Sequence, residues 1–168
     1  AASLYDASLE TAYSAANYRQ LLSAALGEDA APLSLTLLVN QENSFKVSAA
    51  QEVAYNLSTD DLTVTVEALP WEQFLQRLTD GEFDLYYGEC RLTADWDVSA
   101  LAKTNGALNY GGYSNERTDA LLAAALSNTT QRSEALTALW RDLLDNAPFL
   151  PVCFKATAFL ATEVVVEG

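Results

Sequence analysis

Leu62, Val64, Val66 and Ala68 alternate with Thr63, Thr65 and Glu67. A period of two predicts a strand over residues 62–69 with one apolar face. Residues 33–39 alternate at first and then run apolar, which suits a buried strand. Residues 83–87 read as a third strand. Between the strands the period lengthens. Val47, Ala50, Val53, Ala54 and Leu57 share one helical face and predict a helix over residues 45–57. Trp71, Phe74, Leu75 and Leu78 make the stripe of a short helix, with Pro70 at its first position and Gly81 closing it. Trp71 is expected in the core. The order strand, helix, strand, helix, strand argues for parallel strands joined by right-handed crossovers.

The flanks are less regular. Leu9, Tyr13, Ala16, Leu21 and Leu22 recur near helical spacing and predict a helix over residues 5–26. Asn17 offers a cap for a shorter helix over residues 18–26, ending at Gly27. Residues 88–112 are long and only partly regular, with one helical turn expected near residues 98–102. Loops of such length in compact domains are usually functional. Ser114 is the expected cap of a helix reaching Leu126, with Leu121, Leu122 and Ala125 inward. Thr129 or Thr130 starts another, with Leu136, Leu139, Trp140, Leu143 and Leu144 inward, which stops at Asn146-Ala147-Pro148. Residues 149–154 and 158–166 read as late strands. The pattern suggests one core and shows no internal repeat.

Composition narrows the function classes. The chain has 168 residues, with 9 Lys and Arg against 23 Asp and Glu, a net charge of −14. Phosphate binding needs clustered cations, so nucleic acid is disfavoured, as is an anionic membrane surface. No run approaches the roughly 18 apolar residues of a membrane span. Half of the residues are hydrophobic, too many for a disordered chain. There is no His, which removes Ser-His-Asp and Cys-His catalysis and His metal ligation. No metal site and no cofactor are expected. There is no Met either, so a processed or excised piece is expected. Cys90 and Cys153 lack the spacing of a zinc or thioredoxin motif. Each lies in an apolar run, so buried free thiols are the first expectation and a disulfide the second.

Five segments in order resemble one family. Leu35-Thr36-Leu37-Leu38-Val39-Asn40 is similar to the strand opening its second lobe. Val64 to Phe74 is similar to its V-x-V-E…W-x-x-F step, and Gly81-Glu82-Phe83-Asp84-Leu85 to its G-x-F-D-L strand. Asn109-Tyr110-Gly111-Gly112-Tyr113-Ser114-Asn115, followed by Asp119-Ala120-Leu121-Leu122, is similar to its N-x-x-x-Y-S-N…D-x-L-L element. Ala147-Pro148-Phe149-Leu150-Pro151-Val152 is similar to its A-P-x-x-P-L strand. The family is the extracellular solute-binding proteins of family 5, receptors of peptide- and nickel-type ABC importers. The resemblance implies an α/β lobe of the type II periplasmic-binding-protein kind, with a central mixed sheet flanked by helices. It implies that residues 1–168 are one lobe of a longer two-lobed receptor. The partners implied are a small solute, a peptide first, the second lobe of the same chain and an ABC permease. The location implied is extracellular or periplasmic, as a cell-surface lipoprotein in a Gram-positive source. A nickel chelate, haem or an oligosaccharide would be other solutes for the same fold.

Open α/β sheets bind ligands outside the carboxyl ends of their strands. That edge leads into residues 88–97. Ala94-Asp95-Trp96 falls where peptide-binding members carry A-D-Y, so the resemblance makes Asp95 a carboxylate for a ligand's α-ammonium. Its plainer reading is a helix cap or an exposed loop acid. Asp97 is the rival, with capping of the turn at residues 98–101 as its plainer use. Trp96 walls a side-chain pocket or simply packs. Glu89 and Arg91 pair with each other or face the cleft, where Arg91 would hold a carboxylate bidentately. Asn109, Tyr110 and Gly111 form a second candidate loop, and Asn40 a third position; each also reads as turn chemistry. An acid-pair hydrolase using Asp95 and Asp97 is the enzyme alternative, but G-x-S-x-G, P-loop and metal motifs are absent. A non-transport sensor with the same fold is not separated from the receptor by sequence.

Overall fold

The computed structural model describes residues 9, 14–27, 31–93, 95–127 and 132–153. Strands β1 (Leu33–Asn40), β2 (Leu62–Leu69) and β3 (Leu85–Tyr87) form a parallel sheet in the order β2-β1-β3. The central position of β1 explains its apolar run. Leu37, Leu38 and Val39 are buried from both faces, whereas β2 alternates buried Leu62 and Val64 with exposed Thr63 and Thr65. Burying a side chain such as Leu38 stabilises the fold by about 1.5–3 kcal/mol. The parallel sheet is the α/β core expected from the alternation. The resemblance implied a mixed sheet, whereas both strand pairings among the described residues are parallel. Residues 149–153 are irregular rather than extended in a ladder, and residues 154–168 lie outside the described residues.

Helix α1 (Ala15–Leu26) is capped by the Ser14 hydroxyl on the Asn17 amide, so Ser14 takes the role expected of Asn17. The rest of the expected first helix, before Ser14, lies outside the described residues apart from Leu9. Helix α2 (Ser44–Leu57) follows β1 and starts at Asn43, whose Oδ1 accepts the Lys46 amide at 3.1 Å. It lays Ala50 and Ala54 on one face of the sheet, and the Tyr18 hydroxyl donates to the Leu57 carbonyl at 2.6 Å to hold α1 nearby. Helix α3 (Trp71–Asp80) covers the other face with Phe74 and Leu78 against Leu38. Pro70 is its N-cap, one position before the expected one, because its φ of −53° comes with an extended ψ of 149°. Gly81, at φ 71°, closes the helix in the left-handed region that favours glycine. Trp71 departs from expectation: it is about half exposed and stacks obliquely on Phe74 at 5.9 Å.

Strand β3 is two residues shorter than expected. The Asp84 carboxylate accepts the Thr36 amide at 2.8 Å and so replaces a backbone carbonyl where the ladder would continue. The second half packs as its own cluster, against the expectation of one core. Helix α4 (Ser99–Ala102), α5 (Glu116–Ser127) and α6 (Arg132–Asn146) bury Val98, Ala102, Leu122, Ala125, Leu136, Leu139 and Leu143 together. Trp140 packs on this cluster, but Leu144 is half exposed. Asn115, not Ser114, caps α5, because its Oδ1 accepts the Arg117 amide at 2.9 Å and the Thr118 amide at 3.3 Å. No helix among the described residues is long and apolar enough to cross a membrane.

Candidate functional site

The strand order places a switch point at the carboxyl edge between β1 and β3. The chain leaves β1 toward β2 on one side while β3 lies on the other, so the carboxyl ends of β1 and β3 are neighbours, the kind of edge where open sheets bind ligands. Asn40 ends β1 at this edge. Its side chain makes a tight turn, with Oδ1 accepting the Glu42 amide at 2.7 Å. Glu42 in turn accepts the Trp71 amide at 3.2 Å, which places a carboxylate at the N-terminus of α3. Thus Asn40 serves as a turn residue and stiffens this edge of the sheet. Glu89 lies at the same edge, two residues after β3. Its Oε2 lies 2.9 Å from Lys46 Nζ, so the ion pair at this edge uses Lys46 where Arg91 was the expected partner. Arg91 is exposed.

Asp95, Trp96 and Asp97 lie against the α5–α6 pair, beside Val98, Leu122 and Leu136. Asp97 Oδ1 accepts the Ser99 amide at 2.8 Å, which is the capping use. Trp96 adopts φ 61°, a left-handed conformation that costs a bulky residue about 1–3 kcal/mol. Asp95 is half exposed. The Thr93 hydroxyl and its own backbone amide hold its carboxyl below the ordinary range, against an opposing effect of burial, and the Arg132 guanidinium adds a smaller lowering. Arg132 reaches it from α6, donating to the Asp95 carbonyl at 3.0 Å with the carboxylate at 4.0 Å. Asp95 is therefore a charged, partly accessible acid with a partner cation already beside it.

The loop at residues 109–113 is stitched to itself. Asn109 Nδ2 donates to the Lys103 carbonyl at 3.0 Å and to the Tyr113 carbonyl at 2.7 Å, and Oδ1 accepts the Tyr113 amide at 2.9 Å. Its side chain is spent on the turn. Tyr110 packs edge-on against Tyr86 at 5.9 Å, and the Tyr86 hydroxyl donates to the Leu108 carbonyl at 3.1 Å. Burial, reinforced by Tyr110 and Cys90, raises the Tyr86 pKa. Gly111 faces open space. The candidates thus form three groups: Asn40 with Glu89 at the sheet edge, Asp95 to Asp97 on the helix pair, and the 109–113 loop on Tyr86.

Sequence reasoning missed four residues. Lys46 carries the signal of a cation in a helix's first turn, and Asp84 that of an acid opening a strand. Thr118 and Asp142 form a buried hydrogen bond, to which the Tyr113 hydroxyl adds a contact of 2.7 Å with Thr118. No spacing rule links positions 24 apart. The cysteines are free, as first expected, but exposed rather than buried, since residues 88–93 and 149–153 run as open loops. Cys153 Sγ sits 3.8 Å from the Tyr87 hydroxyl. Among the described residues, no group of three or more His, Cys, Asp and Glu side chains is arranged to hold a metal ion.

No protein-family model matches the sequence, and no curated protein matches it. Solved structures do. The Escherichia coli murein tripeptide binding protein MppA is 26% identical, with a TM-score of 0.68, over 80% of this chain and 27% of that one. The pheromone receptor PrgZ, described with its mode of peptide binding, is 26% identical with a TM-score of 0.59, over 80% and 25%. The oligopeptide-binding protein AppA from Bacillus subtilis, in complex with a nonapeptide, is 21% identical with a TM-score of 0.71, over 86% and 33%. The chain therefore spans about a quarter to a third of each of these proteins. The fold is that of these substrate-binding proteins, which agrees with the α/β lobe that the resemblance to family 5 implies.

Proposed function

We propose that the chain is one lobe of a two-lobed receptor that captures an oligopeptide-class solute for an ABC importer. The observation that carries this reading is the match of some 80% of the chain to about a quarter of two peptide receptors at 26% identity. A match of that shape is what a single lobe of a longer receptor would give. The position of the carboxyl ends of β1 and β3 side by side supports it, because open sheets collect ligands at such an edge. Asp95 is the proposed anchor for the peptide's α-ammonium, kept ionised by Thr93 and Arg132. Charge complementarity of this kind orients the ligand. Trp96 lies next to it in the chain and takes the role of a side-chain wall. Asp97, Asn109 and Asn40 serve the frame. Arg91, Tyr110 and Gly111 face the ligand from the two loops. The protein binds and releases and performs no chemistry. Its location is extracellular or periplasmic, with lipid anchoring in a Gram-positive source, and its partners are the second lobe and a permease.

A thermal-shift panel on the full-length receptor tests the reading. Peptides should raise the melting temperature, and sugars, metal chelates and haem should not. Stabilisation by one of these others, with none by peptides, contradicts it.

A further inference from the structure

The peptide unit between Asp95 and Trp96 is held at both of its polar atoms. Its N–H donates to the Thr93 carbonyl at 3.0 Å, and its carbonyl accepts from Arg132 Nη2 at 3.0 Å. Trp96 follows at φ 61°, a region that a bulky side chain rarely adopts. Rotation of this peptide unit would return Trp96 toward the negative φ that it prefers, and it would break both hydrogen bonds. Arg132 supplies its bond from α6, 37 positions away, and does so without forming a close ion pair. Its guanidinium lies 4.0 Å from the Asp95 carboxylate, and its Nε is buried with no hydrogen-bond partner among the described residues. Buried donors left unpaired are rare in folded proteins. The arginine thus grips the backbone and leaves the Asp95 carboxylate half exposed. Strained backbone that its surroundings hold in place clusters at ligand sites.

We infer that Arg132 is a positioning residue for the ligand site: it clamps the Asp95–Trp96 peptide, keeps Trp96 left-handed and so aims the Asp95 carboxylate at a ligand ammonium. This deepens the peptide reading and rests on it. A bidentate pair with Arg132 would occupy both carboxylate oxygens, whereas a grip on the carbonyl spares them for the ligand. Beyond Trp96, Asp97 caps α4 through the Ser99 amide at 2.8 Å, so the turn is fixed on both sides. Without the clamp the peptide unit relaxes, Trp96 leaves the left-handed region and the carboxylate loses its aim. The clamp therefore sets the preference for a peptide with a free α-amino group over one whose amine is blocked.

Two random peptide pools, one with free amino termini and one N-acetylated, are titrated into the full-length receptor. The wild type should favour the free-amine pool by about tenfold. Arg132→Met should lose that preference and bind the acetylated pool as the wild type does, which also shows that the variant is folded. Glycine adopts positive φ freely, so Trp96→Gly needs no clamp. It should weaken both pools alike, through loss of the indole, and keep the preference. Adding Arg132→Met to it should then change the preference by less than about twofold. Urea midpoints of the same four proteins read the cycle where affinity is too low to titrate: Arg132→Met should lower the midpoint less in the Trp96→Gly background than in the wild type. Equal effects of Arg132→Met in both backgrounds overturn the inference alone, because they mark a charge acting on the carboxylate. A preference that survives Arg132→Met, or an equal loss of both pools, also overturns it alone. A wild type that binds both pools without preference overturns the Asp95 anchor and the inference, and one that binds neither overturns the peptide reading as well.

Discussion

Thr118 Oγ1 donates to Asp142 Oδ2 at 2.5 Å, at a buried joint between α5 and α6. Arg117 Nε reaches the other carboxylate oxygen at 3.1 Å from a largely exposed side chain. The Tyr113 hydroxyl joins from the end of the 109–113 loop. A charge is thus placed inside the helix pair, and the loop is moored to it.

Removal of one partner exposes the cost of that buried charge. Thr118→Val should destabilise the protein by about 1–3 kcal/mol, because Asp142 loses a buried donor. Arg117→Ala should cost less than Thr118→Val, because the guanidinium lies largely in solvent and water can replace it at the carboxylate. Urea unfolding of the two variants checks the order, and an equal loss in both would contradict it.

Gly106 is set by a close approach. A Cβ there would lie 2.6 Å from the Ser99 and Ala100 carbonyl oxygens of α4. Backbone atoms cannot swing away. Gly106→Ala should cost about 1–3 kcal/mol, visible as a lower denaturation midpoint. Gly111→Ala, with open space around it, should leave the midpoint nearly unchanged.

The acid limb of the stability profile includes Asp119. The Thr104 amide and then its hydroxyl lower its pKa, with Lys103 adding to this against a partial opposing effect of burial. A lowered folded value means that its contribution is complete above the unfolded value, near 3.8, and is lost as pH falls through the lower folded value. Asp119→Asn should therefore weaken the protein at neutral pH and matter less at the acid end. Unfolding curves across that range check the sign.

Both thiols are open to reagent. Cys90 and Cys153 are exposed, so a neutral thiol reagent should modify both in the folded protein. Reaction only after denaturant is added would contradict this placement.

The sheet was legible because its signals are local. The period of two in residues 62–69 and the apolar run of β1 gave strands within one residue of those observed. Gly81 marked the end of α3 for the same reason. The shortening of β3 was not legible, since Asp84 reaches a strand 48 positions away. The site was legible as segments and less so as contacts. Residues 88–97 and 109–113 were marked by length and glycine, whereas the Lys46–Glu89 and Arg132–Asp95 pairs join distant positions. The cysteines were misplaced because an apolar run was equated with a buried strand. Residues 149–153 stay irregular, with Leu150 and Val152 exposed.

Asp95 is the proposed anchor for the peptide's α-ammonium. Asp95→Asn should lower peptide affinity by about tenfold or more while the melting temperature stays close to the wild type, since the carboxylate is half exposed and its pair with Arg132 is long. Loss of stability with unchanged affinity would make it a structural acid.

A crystal structure of the full-length receptor with a captured peptide tests the central claim most directly. The account predicts a peptide lying at the carboxyl edge of the sheet, in contact with residues 88–97 or 109–113. A peptide that touches neither segment would contradict it.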